Sequence, residues 1–322
     1  MKKELKAHTK IFTVSLLLLT AFTFISCEYA VLEGFYRKHN VSERAASLYS
    51  LPDSEAPALA QNSYFVAAFS DIHLYTSKST LGDRDPFKEG LKDQLTALKE
   101  LSDANPTKNL FPKFALCLGD IADHGTESEY VEYKTFTDEL KTDLNLVTYN
   151  VLGNHDLYNT GWEPYEKLVY PYKSFYRFNT EKFSWYVLDS ASGSLGPAQL
   201  KILEEACKED ARPKIFLMHC PMYGDWTLNM GYFTLQNSYE SDRLITLAQN
   251  SNVKLVMEGH THKYNEHQIG NFVEHTVSSL RAEHEWTLLL VNEDDASTQR
   301  FRITEDVKTK EDFARILADY LE

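Results

Sequence analysis

Short apolar runs recur along the chain, and each one ends at polar residues. Five of them have the length of a buried strand, at 64–69, 114–118, 146–152, 214–218 and 253–257. Apolar residues at helical spacing lie between them in four segments, 86–101, 126–143, 197–209 and 241–249. Thr126 and Glu129 form a capping-box pattern at the start of the second helix. Strands that alternate with helices in this way predict an α/β fold.

The remaining segments predict further strands and a terminal helix. Residues 175–178 and 184–188 read as a strand pair around four turn residues. Strands at 264–269, 272–276 and 286–291 follow one another with short connections, which predicts an antiparallel second sheet. Residues 310–321 have the apolar stripe of an amphipathic helix, and we expect this helix to pack on the core.

Residue types that bind metal ions stand at the ends of the five strand candidates. They are Asp71 and His73, Asp120 and Asp123, Asn154 and His155, His219, and His260 and His262. Each has an ordinary explanation as a turn or surface residue, but their joint occurrence does not. Ligand sites in α/β sheets gather at the carboxyl ends of strands. Carboxylate and imidazole together suit divalent transition metals.

The local spacing of these residues supports one shared site. Asp71 and His73 alternate, as do His260 and His262, so an extended backbone would point each pair to one side. We predict that Asp120 bridges two cations, because a carboxylate has two oxygens and two-metal sites hold their ions about 3.5–4 Å apart. Asn154 would supply a neutral oxygen ligand. His155 beside it suits proton transfer.

Composition and charge restrict the class of protein. The chain has 322 residues, of which 43% are hydrophobic and 25% are charged, as in ordinary globular proteins. Its formal net charge of −14 argues against a long nucleic acid as partner, because phosphate binding needs a basic face. Four scattered cysteines are too few for a disulfide scaffold.

The first 26 residues have the pattern of a signal peptide. Four lysines precede an apolar segment, 11–25, which is short of the about 20 residues that span a bilayer. Ser26-Cys27 resembles the lipobox of bacterial lipoproteins, in which Cys27 would become the lipidated first residue. An uncleaved anchor or an ordinary secretory signal is the alternative. We expect residues 27–63 to form a tether with one short helix near 42–49, and the lipid to hold residues 64–322 at a membrane outside the cytoplasm.

The order of the strand-end motifs is D-x-H, G-D-x-x-D, G-N-H-D, H and G-H-x-H. This order resembles that of the calcineurin-like metallophosphoesterase superfamily, and the resemblance covers residues 64–291. The segment 195–200 is similar to one in its purple-acid-phosphatase-like members. The resemblance implies a four-layer αββα sandwich of two mixed sheets. It also implies hydrolysis of small phosphate mono- or diesters by hydroxide activated on two iron, manganese or zinc ions.

The resemblance also implies roles for individual residues. One metal would be bound by Asp71, His73, Asp120 and His262. The other would be bound by Asp120, Asn154, His219 and His260. His155 would act on the leaving-group oxygen, and Asp123 would orient His155 through a hydrogen bond.

Several features leave alternatives open. The run Asp123-His124-Gly125 lacks the arginine of G-D-x-x-D-R-G in the family's protein phosphatases, which argues against phosphoprotein as substrate. His124 is either a phosphate contact or a solvated loop residue, and Asp156 is predicted to brace its loop. The aromatic segment 223–239 either stacks on substrate or packs over the sheet. A non-enzymatic surface binding protein on the same fold is the second hypothesis.

Overall fold

The computed structural model describes residues 40–59, 61–82, 84–223 and 234–321. The predicted signal segment, Cys27 and the aromatic residues 226, 232 and 233 lie outside the described residues. No helix within the described ranges is long and apolar enough to cross a membrane.

Twelve strands and nine helices are named here in chain order over the described residues. The first half contains α1 (Val41–Arg44), β1 (Tyr49–Ser50), β2 (Ser63–Phe69), α2 (Lys88–Ala104), β3 (Ala115–Cys117), α3 (Glu127–Leu144), β4 (Thr148–Asn150) and α4 (Trp162–Leu168). The middle contains β5 (Tyr176–Asn179), β6 (Ser184–Val187), α5 (Gly196–Glu209), β7 (Lys214–Leu217), α6 (Ser238–Asn250) and β8 (Val253–Glu258). The last part contains β9 (Asn265–Ile269), β10 (Phe272–Thr276), α7 (Leu280–Glu283), β11 (Trp286–Asn292), β12 (Ser297–Ile303), α8 (Lys310–Ile316) and α9 (Ala318–Leu321).

The strands form two mixed sheets. The five-stranded sheet has the order β12-β11-β2-β3-β4, with β2, β3 and β4 parallel and β11 antiparallel to both of its neighbours. The seven-stranded sheet has the order β1-β5-β6-β7-β8-β10-β9, with β6, β7, β8 and β10 parallel. The parallel strands of each sheet deliver their carboxyl ends to one edge.

Three apolar layers hold four layers of structure together. Successive side chains of a strand point to opposite faces, so Val66 on β2 faces the other sheet while Phe65 faces the helices. The central layer between the sheets is rich in aromatic rings, and Phe114 contacts Trp185 edge to face at 5.3 Å. Helices α2, α3, α4 and α8 cover the five-stranded sheet, and α1, α5 and α6 cover the seven-stranded sheet. This arrangement confirms the predicted αββα sandwich.

The local patterns located most elements correctly. The Thr126–Glu129 capping box is formed, and the Thr126 amide donates to Glu129 at 2.9 Å. The predicted terminal helix is present as two pieces, α8 and α9, with a break at Leu317.

The predicted antiparallel second sheet is wrong. Strands β9 and β10 form an antiparallel hairpin, but β10 lies parallel to β8 at the edge of the seven-stranded sheet. Strand β11 instead crosses to the other sheet and lies between β2 and β12. Strand β12 was not predicted, because this edge strand is half-exposed and mostly polar and so lacks an apolar pattern.

The structure also differs from the predicted tether at 27–63. Within the described part of that range, Val41 and Ala45 are fully buried against the helix layer of the seven-stranded sheet. Strand β1 pairs with β5, and the Leu51 amide donates to the Arg177 carbonyl at 2.8 Å. Residues 41–51 therefore pack on the domain, and β2 begins at Ser63.

Candidate metal centre

The loops that follow five strands meet where the two sheets face each other. The loops after β2 and β3 run side by side, since the amides of Asp71 and His73 donate to the Gly119 and Asp120 carbonyls at 3.0 Å. The loop after β4 joins them, because the His155 amide donates to Asp120 Oδ1 at 2.8 Å. The loops after β7 and β8 are connected by the Gly259 amide, which donates to the His219 carbonyl at 3.1 Å. The five-stranded sheet thus brings three of its strand ends to a common cleft, and the seven-stranded sheet brings two.

The predicted site residues have unusual backbone conformations. Asp71, His73, Asp120, His260 and His262 all have positive φ, between 44° and 70°. The expectation of an extended backbone at D-x-H and H-x-H is therefore wrong, although the side chains of each pair still converge. Non-glycine residues seldom adopt this conformation. Each instance costs about 1–3 kcal/mol and persists only where the surrounding structure holds it. Such strain concentrated in one cleft is typical of a functional site.

A first group of potential ligand atoms comprises Asp71, His73, Asp120 and His262. The Nε2 atoms of His73 and His262 lie 3.2 Å apart, and His262 Nε2 lies 3.3 Å from Asp71 Oδ1. His73 Nε2 lies 3.6 Å from Asp120 Oδ2. Ligands about 2.0–2.2 Å from one tetrahedral ion are separated by about 3.3–3.6 Å. The spacing of this group fits a single transition-metal ion.

A second group comprises Asp120, His219 and His260. His219 Nε2 lies 3.3 Å from Asp120 Oδ1 and 3.0 Å from the Asn154 side-chain oxygen. The rings of His219 and His260 are 5.0 Å apart between centroids. Asp120 is common to both groups, and it presents a different oxygen to each. These residues fit the predicted two-ion arrangement with a shared carboxylate, although ligation itself stays a prediction.

His155 and Asp123 lie beside the first group. The backbone carbonyl oxygen of Asp123 lies 2.9 Å from His155 Nδ1, and the side-chain Oδ1 of Asp123 lies 3.5 Å from the same nitrogen. Because a carbonyl only accepts hydrogen bonds, Nδ1 must carry the proton, which leaves Nε2 as the nitrogen available for exchange. The His73 and His155 rings are 4.6 Å apart, so the nine predicted site residues form one continuous cluster.

Charges inside the cluster shift its pKa values strongly. Burial opposes ionisation of Asp71, but the positive charges of His262 and His219 lower its pKa to about 2. Burial opposes protonation of His219, yet the carboxylates of Asp120 and Asp71 raise its pKa to about 9. The carboxylates therefore stay ionised, and they stabilise the protonated form of His219. A bound cation could replace the protons that the imidazoles would otherwise take up.

Two glycines allow the close approach of these loops. Gly119 has φ +99°, and a Cβ at this position would lie 2.5 Å from the Nδ1 atom of His219. A Cβ on Gly153 would overlap the backbone nitrogen and Oδ1 of Asp120. The G-D motif therefore needs its glycine for space as well as for conformation, and the G-N motif needs its glycine for space.

Surrounding residues fix the orientation of the cluster. His219 Nδ1 lies 2.7 Å from the Leu118 carbonyl, which turns Nε2 toward Asp120. Asp156 accepts bonds from the amides of Ala122 and Gly153, both at 2.9 Å, so it braces two of the loops as predicted. His124 lies 3.2 Å from Glu129, which places it against the start of α3.

Sequence reasoning missed several supporting residues. Ser79 and the Thr80 amide donate to Asp123 at 2.8 Å. Arg281 is fully buried and donates to the His73 carbonyl at 2.9 Å. The hydroxyl oxygen of Ser190 accepts hydrogen bonds from the backbone amides of His219 and Cys220. Ser79, Thr80 and Ser190 stand in ordinary loop sequence, and Arg281 stands in the short helix α7. Nothing in their spacing indicates their distant partners.

Comparison with known proteins agrees with this geometry. Residues 66–264 match the sequence model described as calcineurin-like phosphoesterase, which is more than half of the chain. The chain belongs to this family. The matched range includes all nine predicted site residues.

Relatives within the family were also found. A protein of Fibrobacter succinogenes described as a probable cyclic nucleotide phosphodiesterase is 30% identical over 152 residues. The match covers 45% of this chain and 55% of that relative, so the chain spans about half the length of the relative.

A solved structure with the same fold was found, together with a second structure that matches less well. The crystal structure of a dimetal phosphatase from Danio rerio has a TM-score of 0.52 at 11% identity, over 75% of this chain and 99% of that one. A 5′-nucleotidase from Candida albicans has a TM-score of 0.47 at 12% identity, over 81% of this chain and 59% of that one.

The close approach of Gly153 to Asp120 allows a test of whether Asp120 is shared between the two ligand groups. We expect Gly153→Ala to lower the affinity for both ions by at least about 10-fold, because the added methyl group displaces Asp120 from both ligand groups. Manganese titration by calorimetry measures this. Gly82→Ala is the control for a glycine-to-alanine change without crowding, since Gly82 has open space around it. Unchanged affinities in a folded Gly153→Ala variant would contradict the shared role of Asp120.

Proposed function

We propose that this protein is a dinuclear metal-dependent phosphoesterase. The observation that carries the proposal is the pair of ligand groups that share Asp120. Membership of the calcineurin-like phosphoesterase family supports hydrolysis of a phosphoester. The complete set of potential ligands favours an enzyme over a binding protein on the same fold, in which we would expect the set to be broken.

The charge of the site suits a phosphate anion. Only Asp71 and Asp120 contribute negative charge among the proposed ligands, and the imidazoles and Asn154 are neutral ligands. Two divalent ions would leave a net positive charge there, lower the pKa of a water molecule and polarise the phosphoryl oxygens. The protein's part is to hold these side chains in a buried cleft, where such charges act strongly.

His155 is the proposed general acid for the leaving group. Burial disfavours its protonation, but the carboxylate of Asp120 and the hydrogen bonds of Asp123 raise the pKa of His155 to about 9. Cations bound at Asp120 would lower this pKa toward neutrality, which is where a general acid works best. Asp123 fixes the proton on Nδ1, so Nε2 can deliver its proton to the departing oxygen.

We propose a phosphodiester as the preferred substrate class. The relative described as a probable cyclic nucleotide phosphodiesterase supports this choice. The loop after Asp123 carries His124 where the family's protein phosphatases have arginine, and His124 lies against Glu129. A diester carries one negative charge, so it needs less positive charge from the protein than a monoester does. Action outside the cytoplasm on a lipid tether is proposed from the signal pattern and Cys27.

A substrate panel tests the activity. We expect the purified full-length chain, loaded with manganese, iron or zinc, to hydrolyse bis(p-nitrophenyl) phosphate faster than p-nitrophenyl phosphate. Asp120→Asn should lower kcat/KM more than about 100-fold, because it removes the shared charge. Asp138→Asn is the matched control on the exposed face of α3. A chain that binds two ions but turns over neither ester with any metal would contradict the proposal and favour a binding protein.

The leaving-group dependence tests the role of His155. His155→Gln should slow hydrolysis of 3′,5′-cyclic AMP by about 100-fold or more, because its alkoxide must be protonated as it leaves. Hydrolysis of bis(p-nitrophenyl) phosphate should fall much less, since nitrophenolate leaves without a proton. His284→Gln serves as control, because His284 bonds to Glu305 away from the ligand groups. Equal losses on both substrates would remove the general-acid assignment.

A further inference from the structure

The segment before the family match is built into the structure that surrounds His219. Residues 41–51 precede the matched range, which begins at residue 66. Val41 packs so closely on the start of α5 that a Cβ on Gly196 would lie 2.9 Å from its Cγ1 atom. Asn40 caps α1, and the last residue of this short helix is Arg44.

Arg44 forms a buried ion pair with the loop after β6. Its Nε and Nη2 atoms donate to the two carboxylate oxygens of Asp189 at 2.8 and 3.0 Å. Both side chains are completely shielded from solvent. This bidentate geometry fixes the orientation of both groups. Removal of either partner would leave the other as an uncompensated buried charge. Nη2 also donates to the Ser192 hydroxyl at 3.0 Å.

The next residue of this loop bonds to the backbone of the proposed ligand. Ser190 is fully buried, and its Oγ accepts the His219 amide at 3.0 Å and the Cys220 amide at 2.9 Å. A hydroxyl oxygen has two lone pairs, so both amides are satisfied by this one atom. Without it, two buried amides at the proposed ligand would lose their partner.

Backbone position matters at His219 because its ring is already held at the other end. Nδ1 is 2.7 Å from the carbonyl of Leu118, the residue that directly follows β3 of the opposite sheet. The direction of Nε2 toward Asp120 therefore depends on two anchors, Leu118 for the ring and Ser190 for the backbone. A shift of either anchor moves Nε2 relative to Asp120.

We propose that Arg44, Asp189 and Ser190 are positioning residues for His219, and that residues 41–51 are therefore part of the metal centre. The chain of contacts runs from the N-terminal segment through the Arg44–Asp189 pair to Ser190 and then to the His219 amide. Its last member, His219, belongs to the group with Asp120 and His260 and not to the group with His262. The inference rests on the proposed function, because it takes His219 as a ligand.

The two ligand groups can be separated experimentally. A His262→Ala background should retain the ion held by the His219 group, and a His219→Ala background should retain the ion held by the His262 group. Manganese affinity is measured by calorimetry for each background, with and without Ser190→Ala. This design measures metal binding directly and does not depend on turnover.

Ser190→Ala should weaken manganese binding by about 10-fold or more in the His262→Ala background. It should change the affinity less than about twofold in the His219→Ala background, since the hydrogen bonds of Ser190 Oγ within the described residues go to the amides of His219 and Cys220. Ser190→Thr keeps the oxygen and should restore the affinity. Ser194→Ala is the matched control, because Ser194 is an equally buried serine of the same loop that bonds to Glu240.

Equal weakening in both backgrounds, or no weakening in either, would overturn the inference. If Ser190→Ala does not fold, Arg44→Lys is used, which keeps the charge but loses the two-point geometry. The same selective loss is expected for that variant, and its absence counts equally against the inference. Failure of the unsubstituted chain to bind manganese would overturn the proposed function as well, whereas unselective losses would overturn this inference alone.

Discussion

The structure depends on the burial of two carboxylates, Asp71 and Asp120, beside four imidazole rings. Removing ionised carboxylates from water is costly unless opposite charge lies close by. Both carboxylates are almost fully buried, and the pKa of Asp71 is held low by the histidines around it. The left-handed backbone of Asp71 and Asp120 is tolerated because the surrounding loops fix it. Two cations would offset the burial of these charges and the strain.

The sandwich brings the carboxylates and the imidazole rings together, because the strand ends of the two sheets meet at one edge. The five-stranded sheet delivers Asp71 and Asp120, and the seven-stranded sheet delivers His219 and His260. Contacts cross between the sheets within the site itself. The His260 amide donates to Asp71 at 3.0 Å, and His219 is paired with the Leu118 carbonyl. The site is therefore a junction between the sheets, and loosening their packing would pull apart the ligands within each group, because each group takes residues from both sheets.

Much of this could be predicted from sequence, because the informative features are local. A strand of five residues followed by ligand types is visible in a short window, and five such windows in order indicate both fold and site. What failed depends on distant partners. The polar strand β12 is stabilised by pairing with β11, and the apolar pattern of β11 does not say which sheet it joins. The positions of Arg44 and Ser190 carry no local pattern, because their partners are 145 and 29 residues away.

Anomalous X-ray diffraction from crystals grown with manganese would show whether Asp120 is shared between two ions. We expect two manganese peaks about 3.5–4 Å apart. One oxygen of Asp120 should lie within bonding distance of the first peak and the other oxygen within bonding distance of the second, with His262 on one ion and His219 on the other. A single peak, or two peaks that do not share Asp120, would rule out the dinuclear centre proposed for this protein.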